Sequence, residues 1–258
     1  MTYIRLFNAM LKKQLIILKR YWFNTLGSLL TFYLVFLLMF LGYSGFAGGT
    51  PGFEQNLEGL IVGYLLWVFA IYTYQEISNQ TLTEAREGTL EQMYMSPFSY
   101  TLLAGFKLIS SFVVQFVFVG LLLLVIQWTT GRHISIDFIS FLPLLVLTMT
   151  GIAGLGFMLG GLALIFKRIQ SYMQITQFIL VAFVAAPVGA HSVLALLPAS
   201  LGSHLIREVL VAEVSFLALP ALSLIGLVVN ALFYLIVGIF IFNLCEKKAM
   251  KEGLLGHY

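Results

Sequence analysis

The chain has 258 residues, of which 60% are hydrophobic and only 10% charged, and its net charge is +3. About a quarter of the residues in a soluble domain are charged, so this composition excludes an ordinary water-soluble fold and predicts a membrane protein. At this length we expect one membrane domain, residues 1–258, without a separate soluble catalytic domain. The lone Cys245 excludes an internal disulfide. The basic start lacks a small-residue cleavage site, so no cleavable signal is expected.

The first segment, Tyr3–Arg20, is long enough for a helix but carries too many charges to cross a bilayer. At about 100° per residue, its Lys and Arg residues fall on one arc and most of its apolar residues on the opposite arc. This pattern predicts an amphipathic interfacial helix over residues 1–21, lying on the inner leaflet. The pattern leaves open whether the helix does more than anchor the chain.

Six apolar segments of 18 to 29 residues follow, and a spanning helix needs roughly 20. They are Trp22–Tyr43, Leu57–Tyr74, Tyr100–Trp128, Phe141–Phe166, Tyr172–Ala190 and Phe216–Leu244. No charged residue lies well inside them, and Lys107, near the start of the third, is expected to reach the lipid headgroups. The predicted fold class is an all-α polytopic membrane protein with six transmembrane helices.

The orientation follows from the positions of the 14 Lys and Arg residues. All but Arg132 and Arg207 lie on the side that carries the N-terminal segment, the second and fourth loops and the C-terminal tail. Loops rich in Lys and Arg face the cytoplasm. We therefore expect the N- and C-termini to be cytoplasmic.

The cytoplasmic loop 77–99 is the most polar part of the chain. Thr81 with Glu84 fits a capping box, which predicts a short helix from Thr81, and Ser96-Pro97 fits a cap that opens the third span. Glu84, Glu87 and Glu91 would share one helical face. An acidic face on the cytoplasmic side favours docking of a partner protein, and a solvated loop is the alternative.

Two further features concern packing. Gly156 and Gly160 form a pair of small residues that permits close helix approach, which we expect within the chain rather than between chains. The outer region 187–215 is apolar, but its pieces, such as the run Leu205–Val214, are too short to cross. It predicts interfacial or re-entrant helices between spans five and six. They would form either a cap over an exit pathway or packing at the outer surface.

Several chemistries lack their sequence signatures. No GxxxxGK[ST] or HExxH motif occurs, so the chain has no P-loop of its own, and no metal site is expected from its scattered histidines. The span interiors offer only neutral polar groups, whereas secondary transporters and proton relays use ionisable ones. A stand-alone secondary transporter or an intramembrane enzyme would need an ion site or convergent catalytic residues. Transport would therefore draw its energy from a partner ATPase.

Residues 84–93, Glu-Ala-Arg-Glu-Gly-Thr-Leu-Glu-Gln-Met, followed by Ser96-Pro97, resemble a motif of the ABC-2 type transporter permease family. The fourth span, ending Gly-Leu-Ala-Leu-Ile-Phe-Lys-Arg, and the outer segment with Pro187, Leu197-Pro198 and Arg207 are similar to that family too. The resemblance runs along nearly the whole chain. It implies an exporter of two permease chains, identical or paralogous, and two ATP-binding subunits. ATP and Mg would be bound by the partner ATPase, and no cofactor by this chain.

The resemblance also implies that the N-terminal helix is an elbow helix and that loop 77–99 contains a coupling helix seated in a groove of the ATPase. The residues assigned to ATPase coupling, including a second contact in the fourth loop, are Glu84, Arg86, Glu87, Gly88, Thr89, Leu90, Glu91, Gln92, Lys167 and Arg168. Spans one, two and five would line the substrate pathway, with Asn24, Thr25, Tyr72, Gln174 and Gln177 as candidates. The apolar remainder suits an amphipathic or hydrophobic cargo, such as a drug, an antimicrobial peptide or a lipid, exported across a prokaryotic cell membrane.

Overall fold

The computed structural model describes residues 2–47, 53–86, 95, 98–166, 168–189 and 191–252. These residues form α-helices and two short 3-10 helices and contain no strand, which confirms the expected all-α class. The α-helices are α1 (Thr2–Arg20), α2 (Trp22–Ala47), α3 (Phe53–Arg86), α4 (Tyr100–Thr130), α5 (Phe138–Phe166), α6 (Gln170–Ala185), α7 (Ser200–Leu210) and α8 (Ala221–Lys251), and the 3-10 helices are Ser192–Leu196 and Phe216–Ala218.

Five helices of the described chain are long and apolar enough to cross a membrane, namely α2, α3, α4, α5 and α8. They correspond to the first four predicted spans and to the sixth. The predicted fifth span, Tyr172–Ala190, corresponds to α6, which has 16 residues. At 1.5 Å per residue α6 covers about 24 Å, less than the roughly 30 Å of a hydrocarbon core. The described residues thus contain five helices that are long and apolar enough to span, where the sequence predicts six.

A proline accounts for the early end of α6. The helix stops at Ala185, because the next residue, Ala186, precedes Pro187 and has an extended ψ of 129°. Steric conflict with the proline ring drives the preceding residue out of the helical region. Residues 186–189 are not helical and form a loop and a turn. The predicted end of the span, Ala190, lies outside the described residues.

Helix α3 is longer than the predicted second span and runs unbroken over Phe53–Arg86. Thr81 therefore lies inside a helix, and its hydroxyl donates to the Ile77 carbonyl, one turn back, at 2.8 Å. The capping box that was predicted to start a separate helix at Thr81 is wrong. Because α3 continues, it carries Glu76 and Glu84 alongside the beginning of α4.

Helix α4 is closed at each end by a residue suited to that position. The Ser99 hydroxyl accepts a hydrogen bond from the Leu102 N–H at 3.4 Å. At the other end Gly131 has a φ of 67°, a left-handed conformation that glycine adopts without strain, and its N–H donates to the Gln127 carbonyl at 2.9 Å. The N-cap of α4 is thus Ser99, and the predicted cap Ser96-Pro97 lies outside the described residues.

Helix α5 is the central element and packs most extensively on α8 and α3. Where it meets α8, a Cβ added at Gly154 would collide with the Tyr234 carbonyl, and a Cβ added at Gly238 would collide with the Gly154 carbonyl. The two backbones are therefore in direct contact. Such close approach is how helices gain van der Waals contact where lipid removes any hydrophobic drive between them.

The predicted glycine pair of α5 faces α3. A Cβ at Gly156 would lie 3.0 Å from the Tyr74 carbonyl oxygen, and one at Gly160 would lie 3.1 Å from the Ile77 side chain. Both distances are shorter than ordinary van der Waals contact, so a larger residue would require the neighbouring atoms of α3 to shift by a few tenths of an ångström. The expectation that the pair packs within the chain is confirmed.

Helix α1 lies against α4 and α2. Its basic residues are exposed, whereas Leu6, Met10 and other members of the predicted apolar arc are half-buried. The Phe7 ring lies 6.5 Å from the Phe106 ring of α4, measured between centroids. Gln14, a polar residue within that arc, faces a polar group of α3 described below. The amphipathic pattern therefore predicted the buried face of this helix.

The chain between α6 and α8 folds into short helices, as expected for region 187–215, but α7 begins and ends earlier than the predicted run Leu205–Val214. The Ser200 and Ser203 hydroxyls donate to the Phe183 and Val184 carbonyls at 2.7 and 2.8 Å. Carbonyls in the last turn of a helix lack partners in their own helix. Helix α7 therefore completes the hydrogen bonding at the end of α6.

The last helix, α8, begins after Pro220 rather than at the predicted Phe216. Proline has no N–H with which to continue a preceding helix, so residues 216–218 form a separate 3-10 turn. Farther along α8, the Asn230 side chain donates to the Leu196 carbonyl at 2.9 Å. This contact ties the first 3-10 helix to the bundle.

Replacing Gly154 with alanine is expected to lower the free energy of unfolding by about 1–3 kcal/mol or more, because the methyl group would force two backbones apart. Gly105→Ala in α4 is the matched control, since a Cβ there meets nothing within 4 Å. Alanine is the better helix former by about 0.5–1 kcal/mol, so the control should keep or gain stability. Thermal unfolding in detergent measures both, and equal melting temperatures would contradict the direct backbone contact.

Candidate functional site

A buried ion pair joins the last turn of α3 to the second turn of α4. The Lys107 ammonium donates to the Glu84 carboxylate, and each side chain is only 11% exposed. The position of Lys107 in the span predicted that it would reach the lipid headgroups. Instead, Lys107 is paired with Glu84 inside the chain. Glu84 is buried in the bundle, and Glu87 and Glu91, which were predicted to share its helical face, lie outside the described residues. Both differences follow from the length of α3, which brings a carboxylate to the lysine.

A second carboxylate stands two turns earlier on α3. Glu76 accepts hydrogen bonds from Gln14 of α1, at 3.3 Å, and from Gln80. Lys107 also acts electrostatically on Glu76. The Lys107 ammonium thus binds one carboxylate directly and acts electrostatically on a second. The second carboxylate also accepts a hydrogen bond from a neutral amide of α1. Polar side chains of α1, α3 and α4 therefore meet at one end of the bundle, which we call the loop end.

A hydroxyl pair and a ring stack continue this arrangement to α8. The Thr81 hydroxyl and the Tyr100 hydroxyl are 3.0 Å apart. The Tyr100 ring stacks on Phe242 of α8, with a centroid distance of 5.6 Å and an interplanar angle of 5°. Phe157 of α5 meets the same Phe242 ring edge-on at 5.8 Å. The two ends of segment 87–99 are therefore fixed to each other and to α5 and α8.

The predicted coupling residues fall mostly on the segment between these anchors. Arg86 is the last residue of α3, Glu84 is buried beside Lys107, and Arg168 is exposed before α6. The remaining members lie outside the described residues: Glu87, Gly88, Thr89, Leu90, Glu91, Gln92 and Lys167. The structure thus describes the helix ends on either side of the predicted coupling segment, the end of α3 and the beginning of α4.

The five predicted pathway residues lie on α2, α3 and α6. The Tyr72 ring packs between α2 and α4, with centroids 5.6 Å from Phe32 and 5.2 Å from Phe118. The Gln177 backbone carbonyl accepts from the Trp67 indole at 3.0 Å. The Thr25 hydroxyl donates to the carbonyl one turn back, and Asn24 and Gln174 are exposed. No hydrogen bond or ring contact joins two of these five, all of which are described.

Sequence reasoning missed both the Glu84–Lys107 pair and a cavity of about 670 Å³ between α2, α3, α6 and α7, which is lined by Trp67 and Arg207 among others. One signal was available for the cavity, because Arg207 is one of only two basic residues outside the basic side. Across the described ranges, no cluster of three or more His, Cys, Asp or Glu residues could hold a metal ion.

The family model for ABC-2 type transporters matches residues 5–186, from the first turn of α1 to the end of α6. This chain belongs to the ABC-2 type transporter family. None of the curated proteins compared with it matches. As an ABC-2 membrane domain the chain is a transporter permease component and a multi-pass membrane protein, of a kind that is typically non-catalytic. The family also implies association with an ATP-binding subunit.

The matched range contains the whole loop end of this ABC-2 permease except for its contact with α8. The order of elements within it is an amphipathic helix, spanning helices, and a polar segment held between α3 and α4. The buried ion pair therefore belongs to the family-matched part of the chain, whereas α7 and α8 lie beyond it.

Lys107→Met is expected to destabilise the permease by about 3–5 kcal/mol, because it leaves the buried Glu84 charge without its ammonium partner. The double variant Lys107→Met/Glu84→Gln should recover part of this loss, because the uncompensated charge is gone. The control Lys248→Met/Glu252→Gln removes an exposed pair 4.0 Å apart in α8 and the residue after it, whose members are 57% and 49% exposed. Surface pairs contribute about 0–1 kcal/mol. Thermal unfolding in detergent compares the variants, and equal stability of single and double variants would contradict the pairing.

Proposed function

We propose that this chain is the transmembrane permease subunit of an ATP-binding cassette exporter in a prokaryotic cell membrane. It would move an amphipathic or hydrophobic substrate, such as a drug, an antimicrobial peptide or a lipid-like compound, out of the cell. A partner subunit would bind ATP and Mg and hydrolyse the ATP. The observation that carries the proposal is the anchoring of segment 87–99 by Glu84–Lys107 and Thr81–Tyr100 in a chain of the ABC-2 family.

The anchoring suits a segment that receives force. A displacement of segment 87–99 cannot be absorbed by bending the ends of α3 and α4 separately, because the ion pair and the hydroxyl pair join them. The stack of Tyr100 on Phe242 extends the connection to α8. Closure of the ATPase dimer would therefore tilt these helices together and switch the permease between inward- and outward-open states.

The proposed docking residues are Arg86 and the acidic Glu87 and Glu91, with Gly88 allowing a local bend. Thr89, Leu90 and Gln92 complete the proposed coupling segment, and Lys167 with Arg168 would form a second, smaller contact. Glu84 takes a different part in this scheme: it holds the segment from behind rather than touching the ATPase.

The proposed complex contains two permease chains, identical or paralogous, and two ATPase subunits. The exposure of α2 favours the presence of a second permease chain, because only 6% of the most apolar stretch of α2 is buried within this chain. In this arrangement α6 is the sixth crossing, its 24 Å or so being matched to the bilayer by local thinning, and both termini are cytoplasmic with α1 as the elbow helix. The pathway would run beside α2, α3 and α6, past Asn24, Thr25, Tyr72, Gln174 and Gln177.

A stand-alone secondary transporter is the second candidate. The half-buried Glu76 and the buried Glu84 and Lys107 favour it, because ionisable residues within membrane helices often serve ion coupling. The two candidates differ in their energy source. Uptake of cargo into inverted vesicles that carry the permease with its ATPase should require ATP for the exporter, and a proton or sodium gradient for the secondary transporter.

Reversing two charges in the coupling segment tests the docking assignment. Glu87→Lys/Glu91→Lys is expected to abolish co-purification of the ATP-binding subunit or its cargo-stimulated ATP hydrolysis, because the acidic groups would then repel their basic partners. The melting temperature of the permease alone should not change. Glu252→Lys, an exposed residue after α8, is the control on the same side of the membrane. Unchanged association and hydrolysis in the double reversal would sink the assignment.

Tyr100 separates mechanical coupling from docking. Tyr100→Leu removes both the hydroxyl contact with Thr81 and the stack on Phe242, so it should lower cargo-stimulated ATP hydrolysis several-fold while leaving the ATPase bound. Tyr100→Phe retains the stack and serves as the control, with a smaller loss expected. Equal activity of the Leu and Phe variants in reconstituted vesicles would show that the stack does not transmit the movement.

A further inference from the structure

The cavity between α2, α3, α6 and α7 has the size of a ligand site. Its volume is about 670 Å³, within the roughly 300–1,000 Å³ of small-molecule pockets. Its position along α3 is centred near Gly63, about 35 Å from Arg86 at 1.5 Å per residue. It therefore lies at the end of the bundle away from segment 87–99. The apolar part of its wall comes from Met39, Leu60, Trp67, Val181, Ala185 and Val211.

Arg207 of α7 is a half-buried cation in this wall. One of its Nη atoms donates to the Val184 carbonyl, and its Nε is buried without a hydrogen-bond partner. The guanidinium lies against Gly63 of α3, since a Cβ there would lie 3.5 Å from Nη2, at ordinary van der Waals contact. Among the described residues no carboxylate forms an ion pair with Arg207. Burial lowers the pKa of the guanidinium from its ordinary value, as expected for a charge without a compensating anion.

The other polar groups of the wall do not neutralise this cation. Glu208 is the neighbouring residue on α7, but its carboxylate lies 3.5 Å from the His204 imidazole. Asn56 contributes a neutral amide. The Val184 carbonyl already accepts from the Ser203 hydroxyl at 2.8 Å, so a guanidinium is not needed to complete the end of α6. A full positive charge at this position calls for a different explanation.

We propose that this cavity binds the anionic head of an amphiphile, with a carboxylate or phosphate on Arg207 and an apolar body against α2 and α6. A guanidinium presents a planar fork of donors that matches these oxyanions, and removing its charge from water favours an anionic partner. The source of the anion is either a phospholipid headgroup of the bilayer or a soluble amphiphile. Only the second case, in which the ligand is cargo, rests on the proposed function.

Trp67 reports directly on this site. The chain has three tryptophans, and Trp22 and Trp128, which are 61% and 87% exposed, are replaced by phenylalanine to leave Trp67 as the sole fluorophore. The permease alone, without ATPase, is placed in zwitterionic nanodiscs. One arm titrates a brominated fatty acid against the matching brominated fatty alcohol. The other arm compares nanodiscs that contain a brominated anionic phospholipid with nanodiscs that contain its zwitterionic counterpart.

Bromine should quench Trp67 at about tenfold lower concentration, or more, for the anionic probe than for its matched uncharged or zwitterionic probe. Arg207→Gln keeps an amide donor for the Val184 carbonyl but loses the charge, and it should remove this preference. Arg132→Gln, in the loop 131–137, is the control for charge alone, because Arg132 does not line the cavity. It should keep the preference.

A second variant tests the cavity without touching the charge. A Cβ at Gly59 meets nothing within 4 Å, so Gly59→Leu should fill the cavity and abolish quenching by both anionic probes while Arg207 stays in place. Gly105→Leu, equally open but in α4, should leave quenching unchanged.

The outcomes separate the source of the ligand from the proposal itself. A preference in the phospholipid arm identifies a lipid headgroup, a preference in the fatty-acid arm identifies a soluble amphiphile, and either supports the site. Equal quenching by charged and uncharged probes, or an unchanged preference in Arg207→Gln, overturns it. Failure of ATP-driven export would leave a positive binding result standing, because the assay contains neither ATP nor ATPase.

Discussion

The backbone contacts of α5 set the geometry of the whole bundle. Gly154 brings α8 against one face of the helix, where a Cβ would collide with the Tyr234 carbonyl, and Gly156 brings α3 against another, where a Cβ would lie only 3.0 Å from the Tyr74 carbonyl oxygen. Ser78 of α3 adds a hydrogen bond to the Gly156 carbonyl at 3.2 Å, which fixes how far α3 slides along α5. This register sets the position of Glu84 along the long axis of the bundle. The loop end therefore takes its arrangement from the middle of the membrane, where lipid leaves packing as the main force between helices.

The Glu84–Lys107 pair is better understood as a device for register than as a source of stability. Taking two ions out of water costs several kcal/mol for each, and apolar side chains of similar size would hold α3 against α4 at least as well. A charge pair differs in having one favourable alignment, since sliding either helix by a turn would leave a buried ion alone. Such a pair suits the place where we propose that force from an ATPase enters.

Hydropathy and charge counting predicted most of the helices, and the glycine spacing predicted the contact of α5 with α3. These patterns are local, and each residue carries its own signal. The errors arose where the same local pattern fits two structures. A threonine with a glutamate three residues later caps a new helix or sits inside an old one, as Thr81 does. A lysine near a span end reaches for headgroups unless a carboxylate from another helix faces it, as Glu84 faces Lys107. Contacts between helices decide such cases, and a local sequence pattern does not show which residues of distant segments come into contact.

The charged groups near the two ends of α3 have different surroundings, and this difference has a functional consequence. At the loop end the charged groups meet an ion or an amide of the same chain, Glu84 meeting Lys107 and Glu76 meeting Gln14 and Gln80. At the other end the Arg207 guanidinium donates to one carbonyl and has no ion-pair partner among the described residues, and we propose that an anion from outside the chain completes the arrangement. Helix α3 contributes Glu76 and Glu84 to the first and Gly63 and Trp67 to the second. A tilt of α3 relative to α2 and α6 would change the width of the cavity, because Gly63 and Trp67 of α3 form part of its wall. In the proposed exporter this is how work delivered at segment 87–99 would alter the grip on an anion about 35 Å away.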